Sequence, residues 1–388
     1  MIRSIEFSNF YSFKETQKIC FVTKRKKNSY SYFKNKDSEY LTKIAGFIGG
    51  NASGKTNVMR VFGFISNFAC SANRADDDDS KLLYKTYYNS ELPSFFDIEF
   101  EIDETIYYYK FALKNNEIQS EKLQYSEGTK KMLIFNRKKN RTFTLNEDLF
   151  IGGKSVDFLK NVRNDVSSIA FIKSHFDIDI INKVFKFFGN IKININEFGS
   201  HNIPHYQRRA IEICLNDAEV KKQVDHFIRD FDVGLDGFEI KEADSKKGVV
   251  EISGLHTVGK NVAKLDFIYE SRGTKSLFFA ISNIFYSLKH SGIAVIDELE
   301  TGLHPETLSK LITYFIDQNM NTKAQLIFSS LYPDFMNKLD MHQIFITEKE
   351  SNKSSVFRLT DVDGIRTDEN FRTKYMAGHY GGFPNIRI

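Results

Sequence analysis

The sequence predicts an α/β protein with a mixed-sheet core, antiparallel strands near the N-terminus and a helical insertion in the middle. Three observations carry this. In the last third, short apolar runs alternate with longer helical patterns, as a parallel sheet with covering helices requires. Between residues 95 and 125, three strand-like runs are separated by turn residues, the mark of antiparallel hairpins. Residues 49–54 form a glycine-bearing loop between an apolar strand and a helix, the setting of a phosphate-binding turn.

In chain order, residues 1–22 read as two short strands, followed by a polar, basic connection to about residue 41. A short apolar strand over 43–48 leads into the glycine loop, and a helix covers 55–68. The four acids at 76–79 mark a solvated loop, because adjacent carboxylates repel. Strands are expected over 95–102, 105–113 and 118–125, with a further hairpin from 132–135 and 142–145. From about 155 to 232 the patterning is mostly helical, for example over 178–188 and 218–231. Strands return at 238–242 and 249–252. A strongly apolar helix over 274–289 precedes a buried strand, 292–296, which runs into two acids. Then come a helix (306–319), a strand (325–329), another helix and a strand (343–347). Repeats and low-complexity linkers are absent from this pattern. The expected division is therefore one core in two lobes, 1–150 and 265–388, with 151–264 as a mostly helical insertion.

Composition narrows the class. With 388 residues, 41% hydrophobic and 27% charged, the chain has the balance of a globular protein with a real core. No apolar run approaches the roughly 20 residues that span a bilayer, so no membrane is expected. The opening MIRSIEFSNF alternates like a strand and lacks a signal-peptide core. Cys20, Cys70 and Cys214 are scattered with no CxxC pair, which fits a reducing cytoplasm. A net charge of +4 is too mild to announce nucleic acid. The basic clusters at 24–27 and 137–141 read as a solvated loop and a hairpin tip. His201 and His205 have an HxxxH spacing, but Pro204 lies between them and no third ligand is evident, so a plain loop is expected.

The strongest motif is Gly49-Gly50-Asn51-Ala52-Ser53-Gly54-Lys55-Thr56, a full match to GxxxxGK[ST]. Glycines let the backbone curl so that successive N–H groups form an anion nest, and the helix that follows adds its positive end. Lys55 is expected on the β and γ phosphates of ATP, and the Thr56 hydroxyl on Mg²⁺.

The second half of such a site needs acids at the end of a buried strand. Ile293-Ala294-Val295-Ile296-Asp297-Glu298 supplies them. Asp297 is expected to hold the Mg²⁺ shell and Glu298 to accept a proton from the attacking water. Paired acids also cap helices or sit in solvent; Lys55 and Thr56 upstream favour the catalytic reading. Ahead of this strand stands Glu270-Ser271-Arg272-Gly273-Thr274-Lys275. It resembles the signature loop of ABC ATPases in the degenerate SxG form of SMC- and RecF-like members, although a serine there also serves as a plain helix cap. Leu299-Glu300-Thr301-Gly302-Leu303-His304-Pro305 resembles the D-loop of the same family.

The whole chain resembles the abortive-infection ATPases of the AbiL/RloA kind, ABC-type relatives of the OLD-family ATPases. The likeness is close over 49–57, including Asn57, over 270–278 and over 295–305. It is most particular at 374–386, where Tyr375, Gly378, Tyr380, Gly381 and Pro384 match a closing YxxGxYGxxP pattern. The resemblance implies an ABC-type P-loop fold. It also implies a homodimer in which Ser271 and Gly273 of one subunit face the γ-phosphate held by the other. A role in antiviral defence follows, with a separate effector, often a Toprim-like nuclease, because the chain is expected to end soon after the ATPase core. The alternative is a DNA-binding repair or maintenance ATPase of the RecF/SMC class. One departure stands out. The strand at 325–329 runs through Ser330 into Leu331, where ABC ATPases usually carry a switch histidine, so slow hydrolysis is expected. His304 is not promoted to that role, and neither Gln119 nor Gln124 makes a convincing Q-loop. Asn9-Phe10-Tyr11-Ser12-Phe13 lies where related ATPases meet the nucleotide, and core packing explains its aromatics equally well.

Overall fold

Strands buried on both faces read as continuous apolar runs, and the centre of this molecule is built from them. Its six-stranded sheet runs in the order Ile191–Ile193, Ile293–Ile296, Gln325–Ser330, Ile44–Ile48, Ile344–Glu350, Lys353–Arg358. The first five strands are parallel, and the last closes an antiparallel hairpin. Every residue of Ile44–Ile48, Ile293–Ile296 and Gln325–Ser330 is buried. The computed structural model describes residues 1–388 except 25–29, 72–83, 141, 147, 150–158, 160–161, 196–204, 232–233, 245–248 and 384–388. The acids at 76–79, most of the basic cluster at 24–27, Arg141, His201, the side chain of His205 and Pro384 lie outside the described residues.

Alternation along the central strands sends side chains into two separate cores. Ala45, Phe47, Val295 and Ile327 face one, with the helix Lys55–Cys70 and the N-terminal sheet. Ile44, Ile48, Ala294, Ile296 and Phe328 face the other. The first core is aromatic: Phe68 stacks on Phe111 at 4.4 Å, and Phe111 on Phe96 at 4.7 Å. Such pairs add to area burial and hold the helix rigidly between two sheets. The second sheet is seven-stranded and antiparallel, in the order Phe143–Leu145, Lys130–Lys138, Glu117–Glu127, Thr105–Lys114, Ser94–Ile102, Ile2–Ser8, Gln17–Cys20. The N-terminal strands and hairpins expected from the sequence make up this sheet.

Within residues 151–264 the described elements divide between the cores. Ile191–Ile193 forms the edge of the central sheet. The helices Ser168–His175 and Asp179–Gly189 supply Ile169, Ile172, Ile181, Val184 and Phe188 to the first core. His205–Asn216 and Ala218–Phe231 pack in the second core with the helix Arg272–His290. A three-stranded antiparallel sheet, Gly237–Asp244, Val249–Val258 and Asn261–Asp266, leads into the turn before that helix. The helix expected after the 325–329 strand is a 3-10 segment, Pro333–Lys338. Among the described residues no helix is long and apolar enough to cross a membrane.

Candidate nucleotide site

The strand Ile44–Ile48 delivers the chain into the glycine loop at the C-terminal edge of the sheet, where ligands of α/β proteins sit. The loop has no room for side chains at its ends. A Cβ at Gly49 would stand 2.2 Å from the Thr347 carbonyl oxygen, and Gly54 has φ 118° beside Ser354. Ala52 is left-handed at φ 60°. The Ser53 and Thr347 hydroxyls meet at 2.6 Å, tying the loop to the neighbouring strand. Gly50 N–H donates to the Gly382 carbonyl at 2.9 Å. The Tyr375 hydroxyl donates to the same carbonyl at 3.1 Å. The C-terminal motif therefore lies directly against the phosphate-binding loop. Gly378 and Gly381 both take positive φ there, and the Tyr380 hydroxyl donates to Glu369 at 3.0 Å.

Lys55 opens the helix and is 7% exposed. Its ammonium donates to the carbonyls of Gly49 at 2.8 Å and Gly50 at 2.9 Å. Burial lowers its pKa from the ordinary lysine value, opposed by the charges of Glu300, Asp297 and Glu298. The expected lysine and acids thus share one electrostatic environment although more than two hundred residues separate them. Asn57, two residues on, donates to the Ser12 hydroxyl at 2.8 Å and accepts from Arg60 at 2.8 Å. Phe10 and Phe13 of the same N-terminal turn are fully buried core residues, while Tyr11 lies under the Arg60 guanidinium at 5.0 Å.

The acidic strand and the P-loop strand are not neighbours; Gln325–Ser330 runs between them. Its Ser329 organises both acids. The hydroxyl accepts from Glu298 N–H at 2.9 Å and donates to the Asp297 carboxylate. On the other side, Asn194 exchanges two hydrogen bonds with the Asp297 backbone, at 2.7 and 2.9 Å. Glu298 is exposed and left-handed at φ 49°, a strained conformation for a non-glycine residue. Thr301 donates to its carboxylate at 3.2 Å. Glu300 is buried, with one oxygen accepting from Leu331 N–H at 2.7 Å. Ser329, Asn194 and Glu300 were not singled out from the sequence. A serine ending the strand beside the acidic one is the signal that points to the first.

Ser271 and Gly273 stand at the start of the helix Arg272–His290. The helix-cap reading holds: the exposed Ser271 hydroxyl accepts from Thr274 N–H at 3.0 Å. Gly273 is packed against the D-loop, since a Cβ there would lie 2.4 Å from the Gly302 carbonyl oxygen. The resembled signature and D-loop therefore form one joint backbone surface. Leu331, at the switch-histidine position, is 41% exposed.

The residues fit a magnesium nucleotide. A glycine-bearing loop at a helix N-terminus, the buried Lys55 ammonium, and the oxygens of Thr56 and Asp297 are group types that a triphosphate with Mg²⁺ takes. The strand, glycine loop and helix together define a P-loop nucleotide-binding fold.

The chain belongs to the family described as "AAA domain, putative AbiEii toxin, Type IV TA system", whose model matches residues 44–330. Among solved structures it is similar to an SMC head bound to the C-winged helix domain of ScpA, with 14% identity, TM-score 0.48, and coverage of 92% of this chain and 96% of that one. The SMC head domain from Thermotoga maritima gives 14% identity and TM-score 0.42, covering 92% and 98%. The Smc head domain with an extended coiled coil, bound to the C-terminal domain of ScpA, from Pyrococcus furiosus gives 13% and 0.46, covering 93% and 97%. No curated protein matches the chain in sequence.

Proposed function

We propose that this chain binds and hydrolyses ATP as a homodimer and serves as a regulator in anti-phage defence, acting on a separate effector of the Toprim-like nuclease class. The observation that carries the ATPase reading is Lys55 buried in the field of Asp297, Glu298 and Glu300, with Ser329 holding two of those acids from the strand between. In this reading, Lys55 moves from the Gly49 and Gly50 carbonyls to the phosphates. Gly49, Gly50, Asn51, Ala52, Ser53 and Gly54 supply the nest, and Asn57 braces the helix start against Ser12. Mg²⁺, when bound, spreads the charge of the β and γ phosphates, with Thr56 and Asp297 as its protein donors. Glu298 accepts the proton of the attacking water. Ser271, exposed and close to the D-loop through Gly273, caps the γ-phosphate of the second subunit.

The defence setting is supported by the family description, which names a toxin of a type IV toxin–antitoxin system, and by the AbiL/RloA-like C-terminal motif. That motif touches the phosphate loop through Gly382 and Gly50, so it is placed to carry nucleotide state to the C-terminus. The lobes 1–150 and 265–388 are proposed as the engine, with the 151–264 insertion relaying closure through its contacts with the signature helix. The test is ATP turnover by the purified chain. Magnesium-dependent hydrolysis that disappears in Lys55→Ala and Glu298→Gln supports the proposal; turnover insensitive to both removes this site from the reaction.

A further inference from the structure

The loop ending the strand Gln325–Ser330 lacks the switch histidine but is stapled to the acidic segment throughout. Leu299 N–H donates to the Ser329 carbonyl at 3.0 Å, and Glu298 N–H to the Ser329 hydroxyl at 2.9 Å. Two residues on, Leu331 N–H donates to Glu300 Oε1 at 2.7 Å. The turn itself is closed by the Ser330 hydroxyl, which bonds the backbone N–H and carbonyl of Tyr332 at 3.0 and 3.2 Å. Glu300 is 5% exposed, and its Oε2 is buried without a hydrogen-bond partner. A fold needing only volume at this place would use leucine, because an unsatisfied buried carboxyl oxygen destabilises.

We propose that Glu300 is a positioning residue for ATP hydrolysis, holding the Leu331 turn in register with Asp297 and Glu298 where other ABC ATPases use a histidine. The inference rests on the ATPase reading above and deepens it. Three further facts fit. Burial raises the Glu300 pKa, opposed first by the Leu331 N–H bond. Its charge is the largest of the three that oppose the lowering of the Lys55 pKa by burial. The residue it holds, Leu331, is exposed and carries no group able to hydrogen-bond a phosphate, which leaves its backbone as the part that needs placing.

The test compares Glu300→Ala and Glu300→Gln in the full chain, with ATP affinity by calorimetry and kcat counted per nucleotide-binding site. Glu300→Ala should lower kcat by about 30-fold or more while ATP affinity stays within about threefold. Glu300→Gln keeps an oxygen for Leu331 N–H and should return kcat to within about fivefold of the wild type. Leu331→Pro removes the same bond from the other partner and should reproduce the Glu300→Ala loss, which keeps the proposal testable if the alanine variant does not fold. A kcat unchanged in Glu300→Ala or Leu331→Pro overturns this inference alone, as does a parallel loss of kcat and ATP affinity. A wild-type chain that binds ATP without turnover overturns both this inference and the ATPase reading.

Discussion

Lys55 and Glu298 are the two residues on which the site's chemistry turns, and each is held in a condition that folding alone does not favour. Lys55 is buried and desolvation lowers its pKa, so an arriving phosphate relieves an existing cost. Lys55→Ala should weaken ATP binding by about 100-fold or more, two charge-assisted contacts of about 1.5 kcal/mol each, without lowering thermal stability. Calorimetry alongside a melting curve checks both halves. Glu298 sits at φ 49°, so Glu298→Gly should relieve strain and stabilise the chain by about 1 kcal/mol while hydrolysis falls by about 100-fold. A melting temperature that drops would show that the left-handed backbone is not strained there. The motif residues of this site were legible because each belongs to a contiguous pattern with a chemical reason for its spacing. The roles of Ser329, Asn194 and Glu300 were not, because only the order of strands in the sheet brings Ser329 and Asn194 beside Asp297 and Glu300 beside Leu331.

Elements show the same division. The long strands and helices declared themselves by period, since an amphipathic face needs many residues to be visible. Ile191–Ile193 has three residues and too few alternations to read, yet it completes the sheet beside the acidic strand. The segment Pro333–Lys338 carries a helix-like pattern but forms 3-10 turns, with Phe335 packed on Phe328 at 5.0 Å. The contact between Gly273 and Gly302 was also hidden, because glycine pairs carry no periodic signal. It has a practical consequence: a side chain at Gly273 displaces the Gly302 turn as well as any facing subunit. Gly273→Ala should therefore destabilise the chain by about 1–3 kcal/mol in the absence of nucleotide, as overpacked sites do. Chemical denaturation checks this, and an unchanged midpoint would mean that the two loops part easily. The Tyr375 hydroxyl belongs to this scale too. Tyr375→Phe removes one donor to Gly382 and should cost about 1 kcal/mol, with faster hydrogen exchange at Gly50.

At the scale of the whole molecule, the helix Lys55–Cys70 is clamped between two sheets while the helix Arg272–His290 belongs to the second core with His205–Asn216 and Ala218–Phe231. The helix after the phosphate loop and the helix after Ser271 thus cover opposite faces of the one central sheet, and in the proposed dimer a second subunit closes over ATP. Ser271 is proposed to act across the seam of that closed dimer. Ser271 is exposed and its substitution leaves the Gly273–Gly302 contact in place, so Ser271→Arg probes the seam more cleanly than any change at Gly273. The decisive measurement is solution mass by light scattering for Glu298→Gln, with and without Mg²⁺-ATP, alone and combined with Ser271→Arg. The mass should double on ATP addition, and Ser271→Arg should abolish the doubling while ATP affinity stays unchanged. A saturated chain that remains a monomer, or a dimer indifferent to Ser271→Arg, would contradict the proposed closure.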